Sequence, residues 1–132
     1  MTTYMLDTNT VSYLLRGQAG VTARVIAEPM TSLCISAITE GELLFGLAKR
    51  PEAKRLHAAV QEFLRRVVSL PWDHMAAEQY GAVRADLELR GKALSPLDLQ
   101  IASHALSLDA MLVTSDKAFQ QVVGLQLEDW TD

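Results

Sequence analysis

The sequence has little of several features that define common protein classes. It contains one cysteine, Cys34, together with seven glycines and four prolines among 132 residues. One thiol cannot form an internal disulfide, so the chain is not a disulfide-stabilised scaffold. So few glycines and prolines exclude a collagenous or low-complexity chain. Uninterrupted apolar runs are short, such as Ala110–Val113, whereas a membrane-spanning helix needs about 20 apolar residues. The chain is therefore not expected to be an integral membrane protein.

Positive charge is also scarce. The chain carries 12 Lys and Arg against 16 Asp and Glu, which gives a net charge of −4. A protein that binds nucleic acid through a broad basic field would show the opposite balance. Any contact with nucleic acid must then be local, and an acidic site that binds metal ions is compatible with this charge. The first residues lack the basic segment and apolar core of a secretory signal, so a cytoplasmic location is expected.

Short apolar runs alternate with amphipathic segments along the chain. The predicted strands are Thr2–Leu6, Leu33–Ser36, Val67–Leu70, Met111–Thr114 and Leu125–Leu127. The predicted helices are Asn9–Arg16, Val21–Ala27, Ile38–Lys49, Glu52–Val68, Asp73–Arg90, Ser95–Leu108 and the short Asp116–Gln121. This alternation predicts an α/β fold with a mostly parallel sheet covered on both faces. No repeat, linker or change of composition divides residues 1–132, so we expect a single domain.

Two of the predicted helices have distinctive apolar patterns. The segment Ile38–Lys49 is apolar almost all round, which predicts a helix enclosed by the fold. The next segment has a narrow apolar stripe that includes Leu56, Val60 and Phe63, and Pro51 suits the start of that helix. The stripe is most simply explained as core packing, although apolar surface on neighbouring helices could also receive a partner.

Four carboxylates occupy positions where an α/β sheet usually places its ligands, beyond the carboxyl ends of the strands. Asp7 follows the first predicted strand, and Asp116 follows Met111–Thr114. Asp98 lies in the first turn of its helix, and Glu42 lies in the helix predicted to be enclosed. The topology can bring all four to one edge of the sheet.

Each carboxylate also has a structural interpretation. Asp7 and Asp116 could cap the helices that follow them, and Asp98 could belong to a capping box that begins at Ser95. Glu42 is harder to explain in this way, because an unpaired buried carboxylate is disfavoured by several kcal/mol. Two carboxylates ~5 Å apart at an effective dielectric of ~20 would repel each other by roughly 3 kcal/mol. A divalent cation would offset that repulsion, and oxygen ligands suit Mg²⁺ or Mn²⁺.

Such a site suits the hydrolysis of phosphodiesters, because a divalent cation can activate water and stabilise charge on phosphate oxygens. The histidines offer no rival mechanism, since His57, His74 and His104 lie on separate predicted helices without metal-binding spacing. The sequence has no glycine-rich phosphate loop and no nucleophile-elbow motif.

Seven sequence segments together resemble the PIN-domain ribonucleases, and among them the VapC-type toxins of bacterial toxin–antitoxin pairs. The longest spans Pro96 to Ala105, reading PLDLQIASHA. The others are MLDTN at 5–9, IS at 35–36, ELLFG at 42–46, RA at 84–85 followed by Gly91, LVTSD at 112–116 and LEDW at 127–130. Any one of these is weak, but their order over nearly the whole chain is specific. Ser95 departs from relatives that often carry glycine there, and serine remains a competent helix cap.

The resemblance implies a three-layer α/β/α domain and a Mg²⁺- or Mn²⁺-dependent endoribonuclease that inhibits translation. By position, Asp7, Glu42 and Asp98 match the acidic core of the family, and Asp116 matches a fourth position that varies among members. All four are thus expected to be catalytic and to bind metal. The side chains of Thr8, Asn9, Thr114 and Ser115 are expected to support these carboxylates through hydrogen bonds.

The resemblance also implies partners: a VapB-type antitoxin, a second copy of the chain in a homodimer or a larger assembly, and structured RNA. Transfer RNA cleaved at the anticodon stem-loop is the expected substrate, because unpaired bases are exposed there. Local basic residues would have to hold it, and the candidates are Arg16, Lys49, Arg50, Arg84, Arg90, Lys92 and Lys117. Two alternatives stay open, a catalytically inactive PIN-like module that binds RNA or protein and a structure-selective DNA nuclease.

Overall fold

The computed structural model describes residues 1–132 as five strands and six helices. The strands are β1 (Tyr4–Leu6), β2 (Leu33–Ser36), β3 (Val68–Leu70), β4 (Met111–Val113) and β5 (Leu127–Glu128). The helices are α1 (Thr8–Leu15), α2 (Ala19–Ala27), α3 (Ala37–Ala48), α4 (Lys54–Arg66), α5 (His74–Leu89) and α6 (Pro96–Ser107). Two 3-10 turns occur at Met30–Ser32 and Lys117–Gln121.

All five strands form one sheet in the order β3-β2-β1-β4-β5, and every neighbouring pair is parallel. The central strand β1 pairs with β2 through Met5 and Cys34, and with β4 through Met5 and Leu112. The carboxyl ends of parallel strands meet at one edge of a sheet. The residues that follow the strands therefore lie along this carboxyl edge.

Successive side chains of a strand point to opposite faces, and this alternation builds two separate cores. Leu6, Ile35 and Val113 join an apolar cluster with residues of α1 to α4. Met5, Cys34 and Leu112 join a second cluster with residues of α5 and α6. Helices thus cover both faces of the sheet, which confirms the predicted three-layer α/β/α architecture with a parallel sheet.

Most predicted elements are present, with three differences. The helix α4 begins at Lys54, not beside Pro51, because Pro51 occupies a turn closed by a hydrogen bond from Ala53 N–H to Arg50 C=O. Proline favours the second position of such a turn. The last strand lies at Leu127–Glu128 instead of Leu125–Leu127. The short segment after Asp116 is a 3-10 turn.

The prediction that α3 is enclosed is wrong in one respect. Thr39, Leu43 and Leu47 are buried, but Leu44 is 47% exposed and Phe45 is 55% exposed. The apolar stripe of α4, in contrast, packs into the core as predicted, with Val60 and Phe63 buried. A helix whose sequence is apolar on every side thus packs one face into the core and exposes another face to solvent.

None of the helices combines the length and the apolar character that a membrane crossing requires.

Candidate active site

Asp7 stands at the centre of the carboxyl edge, directly after β1, and is 4% exposed. Its backbone N–H donates to the Val113 carbonyl over 3.1 Å. Its Oδ1 accepts a 2.8 Å hydrogen bond from Thr10 N–H, which makes it the N-cap of α1. The predicted capping role is therefore confirmed.

Burial raises the pKa of Asp7, because removal from water disfavours the charged form. Hydrogen bonds from Thr114 and Thr10 oppose that rise, while the negative charge of Asp116 adds to it. No lysine or arginine forms an ion pair with Asp7. The carboxylate is thus buried next to like charge without a compensating cation from the protein.

The carboxylates of Asp7, Asp98 and Asp116 form one charge cluster, and α6 carries Asp98. Ser95 caps this helix by accepting a hydrogen bond from Asp98 N–H over 3.3 Å, as the capping pattern predicted. Burial raises the pKa of the Asp98 carboxyl group, and the charges of Asp116 and Asp7 raise it further. The structure therefore brings the charges of Asp7, Asp98 and Asp116 within interaction range of one another.

Asp116 combines a capping role with a place in this cluster. Its Oδ1 accepts from Ala118 N–H over 2.9 Å, and its own N–H donates to Thr114 Oγ1 over 3.0 Å. Because the Thr114 side chain also hydrogen-bonds to Asp7, this threonine connects the Asp7 carboxylate to the backbone of Asp116. The predicted supporting role of Thr114 agrees with these contacts.

Glu42 lies on α3, half-buried, and forms no side-chain hydrogen bond or ion pair. It follows Thr39 by three residues, so the two share one flank of the helix. Thr39 Oγ1 accepts a 3.2 Å hydrogen bond from Thr8 Oγ1, next to Asp7. This hydrogen bond connects α3 to the start of α1, but the structure shows no interaction between Glu42 and the other three carboxylates. Asn9 and Ser115, also expected to help, make no side-chain hydrogen bond.

The four carboxylates do not form a closed metal cage. No group of three or more His, Cys, Asp or Glu side chains is close enough to hold an ion by protein ligands alone. Mg²⁺, however, usually keeps several waters and binds through one or two carboxylates plus substrate phosphate. A hard, all-oxygen donor set with uncompensated negative charge fits such an ion.

Several polar residues of the site are not singled out by sequence. Thr10 is buried and its hydroxyl donates to the Val113 carbonyl over 3.0 Å, tying α1 to β4. Ser36 caps α3, and its Oγ lies 2.8 Å from Nδ1 of the buried His104 on α6. These contacts join the helices that carry Glu42 and Asp98. Ser36 and His104 lie within motifs of the family resemblance, but nothing in the sequence marks them or Thr10 as members of the site.

The chain is similar to known proteins in both sequence and structure. The PIN domain family model matches residues 4–125. The chain is 33% identical to the tRNA(fMet)-specific endonuclease VapC of Shigella flexneri, over 99% of this chain and 100% of that protein. It is 32% identical to the ribonuclease VapC2 of Haemophilus influenzae, over 98% and 99% of the two chains. The crystal structure of DNA-bound VapBC from Salmonella typhimurium aligns with a TM-score of 0.91 at 34% identity, covering 98% and 99%.

The chain belongs to the PIN domain family. Its full-length similarity to the VapC proteins extends this assignment to the VapC ribonucleases within that family. The resemblance given by the sequence motifs is thereby confirmed, and the chain is a nuclease.

Proposed function

We propose that this chain is the toxin of a toxin–antitoxin pair and that it hydrolyses structured RNA with a divalent cation. Its 132 residues would act as one domain. The observation that carries the proposal is the cluster of Asp7, Asp98 and Asp116, whose charges interact and have no basic partner. A bound Mg²⁺ or Mn²⁺ would supply Lewis-acid stabilisation of phosphate charge and a lowered pKa for attacking water. The coupled carboxylates favour this reaction over a passive binding role.

We propose a role for each carboxylate from its match to the acidic core of the family. Asp7, Glu42 and Asp98 would hold the cation, and Asp116 would support a second ion or a water. Thr10 and Thr114 keep the Asp7 side chain oriented. If Asp116 only caps its turn, the Asp116→Asn variant keeps most of its activity, and near-complete loss assigns Asp116 to the reaction.

Transfer RNA is the substrate that we propose, in keeping with the name of the Shigella flexneri relative. Of the seven candidate basic residues, Arg84 and Arg90 already pair with Glu88 and Asp86. The others, Arg16, Lys49, Arg50, Lys92 and Lys117, form no ion pair that would compete with RNA phosphates. Two of them lie over aromatic rings, Arg16 over Tyr13 and Lys49 over Phe45. So few free cations suit a local contact on an acidic protein.

The test is cleavage of purified total RNA by antitoxin-free protein in Mg²⁺, Mn²⁺ or chelator. We expect discrete fragments with 5′-phosphates, produced only with metal. The Asp7→Asn variant should be at least ~100-fold slower, since several kcal/mol of transition-state stabilisation depend on the cation. Asp109→Asn serves as a control, because it makes the same charge change before β4, at the opposite edge of the sheet.

Each other outcome has a distinct meaning. Cyclic-phosphate ends would indicate attack by the RNA 2′-hydroxyl and would contradict hydrolysis by water. Equal activity of Asp7→Asn and the parent protein would favour the binding module. Faster cleavage of DNA than of RNA in parallel assays would favour the DNA nuclease.

We further propose that a VapB-type antitoxin packs along α3 of this chain. The neighbours Leu44 and Phe45 form an exposed apolar pair on that helix. Phe45 follows Glu42 by three residues, so a segment packed on its ring passes beside the acidic site. A basic side chain from that segment could then displace the cation, as we expect for inhibition. The solved relative from Salmonella typhimurium is a VapBC complex.

The variant Phe45→Ser tests this interface. It should weaken antitoxin binding at least tenfold, because truncation of a central aromatic contact commonly costs more than 1 kcal/mol. RNA cleavage without antitoxin should change little, since the ring lies outside the carboxylate cluster and its loss removes only a 4.5 Å cation–π contact with Lys49, whose charge stays. A change in the monomer–dimer equilibrium with normal antitoxin binding would instead assign this face to the homodimer. Tight Mn²⁺ binding by the inhibited complex would contradict displacement of the cation.

A further inference from the structure

A cavity of about 190 Å³ opens next to the acidic site, between the ends of β4 and β5 and the 3-10 turn Lys117–Gln121. Asp116 lines this cavity and also belongs to the charge cluster. Seven of the eight lining residues are polar or charged, and Leu127 is the exception. Drug-sized ligands occupy ~300 to 1,000 Å³, so this volume suits a smaller group, such as one nucleobase.

Some of the polar groups in the cavity are already used by the fold. Glu128 Oε1 accepts from Arg24 Nη2 over 3.1 Å and from Trp130 Nε1 over 2.8 Å. Asp129 Oδ1 accepts from the backbone N–H and the hydroxyl of Thr131, over 2.9 and 2.6 Å. These contacts fix the two side chains without filling the cavity.

Other polar groups in the wall have no partner in the protein. The Oδ2 atom of Asp129 accepts no hydrogen bond, and Gln120 makes none through its amide. The ammonium group of Lys117 forms no ion pair. The cavity thus offers exposed hydrogen-bonding groups that water satisfies in the free protein and that a ligand can engage, and Thr131 holds the Asp129 carboxylate in place among them.

The charge of the wall indicates which ligand group fits. Three carboxylates, Asp116, Glu128 and Asp129, face a single lysine, and only Glu128 has an arginine partner. This excess of negative charge repels phosphate and favours a group that donates N–H hydrogen bonds. A base with an exocyclic amino group is such a donor, and carboxylates accept from the cytosine amino group. Uracil instead places carbonyl oxygens on both sides of its single N–H, where a carboxylate repels them.

We propose that this cavity holds the base of a nucleotide beside the cleaved phosphate, and that Asp129 with Gln120 selects amino-bearing bases over uracil. The inference rests on the proposed ribonuclease function. Asp129 acts on specificity and lies outside the carboxylate cluster that performs the reaction.

The test compares the parent with Asp129→Asn, which replaces an acceptor oxygen with an amide donor. Sequencing the ends of cleaved total RNA gives the base frequencies on both sides of each cut. The parent should favour adenine, guanine or cytosine at one flanking position. The variant should lower kcat/KM for those sites about tenfold and increase the share of cuts beside uracil, whose carbonyl oxygens can accept from the new amide. Asp109→Asn, with the same charge change, should keep the preference of the parent.

A second measurement separates this inference from the proposed function. The nucleosides adenosine, guanosine, cytidine and uridine, which carry no phosphate for the acidic wall to repel, are titrated into the metal-free protein, and amide NMR shifts are followed at Gln120 and Asp129. We expect shifts with the three amino-bearing nucleosides at concentrations at least fivefold lower than with uridine. Unchanged flanking frequencies in Asp129→Asn, with normal cleavage, would overturn the inference alone. Nucleoside-selective shifts in a protein that cuts no RNA would support the cavity and overturn the proposed reaction.

Discussion

Residues at the carboxyl edge can both cap a helix and place a charge in the site, and Asp7 does both. One oxygen caps α1 through Thr10 N–H, while burial beside Asp116 raises the pKa of the carboxyl group. The cap stabilises the fold, with caps worth ~0.5 to 2 kcal/mol. The buried charge acts in the opposite direction when no cation is bound. A stability cost at this position is typical of a residue kept for chemistry.

The variant Asp7→Asn should therefore be more stable than the parent at pH 7 in chelator. Asparagine keeps the capping oxygen and removes the buried charge. Since the pKa of Asp7 is raised in the fold, the charged form destabilises the parent above that pKa. This penalty disappears as pH falls through the raised pKa towards the ordinary value of 3.8. Urea unfolding from pH 7 to pH 4 should show the stability difference shrinking towards zero, and a constant difference would contradict the argument.

The sequence predicts the helices and strands more accurately than it predicts the exposed surfaces and the cavity that they form. The cap at Ser95 and the short apolar runs of β1 and β2 are local patterns, and the structure contains both. The exposed face of α3 was missed, because an apolar residue at a partner surface looks the same in sequence as one in the core. The cavity beside Asp129 was missed for a related reason. The predicted last strand, Leu125–Leu127, ends one residue before the observed strand Leu127–Glu128, so the sequence does not show Asp129 as the residue that follows a strand at the carboxyl edge.

The C-terminal segment after β5 contains part of the LEDW motif, but no sequence pattern predicts how it packs. Trp130 is buried, and its ring lies 5.2 Å from that of Tyr4 and 4.6 Å from the Arg24 guanidinium carbon. Gly20 in α2 faces this segment so closely that an added Cβ would lie 2.5 Å from the Trp130 carbonyl oxygen and overlap the Asp132 carbonyl. Glycine is required here by close approach of two backbones.

Replacement of this glycine, Gly20→Ala, should displace the C-terminal segment and destabilise the protein by about 1 to 3 kcal/mol, the usual cost of overpacking. Gly81→Ala is the matched control. Gly81 lies inside α5 and an added Cβ would meet nothing within 4 Å, so alanine there should stabilise by roughly 0.5 to 1 kcal/mol. Chemical denaturation of both variants measures the difference. If both substitutions stabilise equally, the segment is not held against α2 in solution.

At the scale of the whole molecule, the net charge is −4. A bound cation would offset this charge and therefore stabilise the folded protein. The parallel sheet brings acidic residues from distant parts of the sequence to one edge, as the order of its strands requires. Sequence supplied the four candidate residues, and only the three-dimensional arrangement shows that three of them interact. A site of this kind remains destabilising until a cation or a substrate complex neutralises it.

Mn²⁺ should therefore raise the melting temperature of the parent more than that of Asp7→Asn. A ligand present at 100 times its Kd stabilises by ~2.7 kcal/mol, which corresponds to roughly 10 °C for a chain of this size. Asp7→Asn should melt above the parent in chelator and below it in saturating Mn²⁺, so that their order reverses. The control Asp109→Asn should follow the parent, because it changes the net charge equally and leaves the cluster intact. Equal Mn²⁺ shifts in all three proteins would reduce the effect to general screening of an acidic surface, and would remove the metal site from the proposed mechanism.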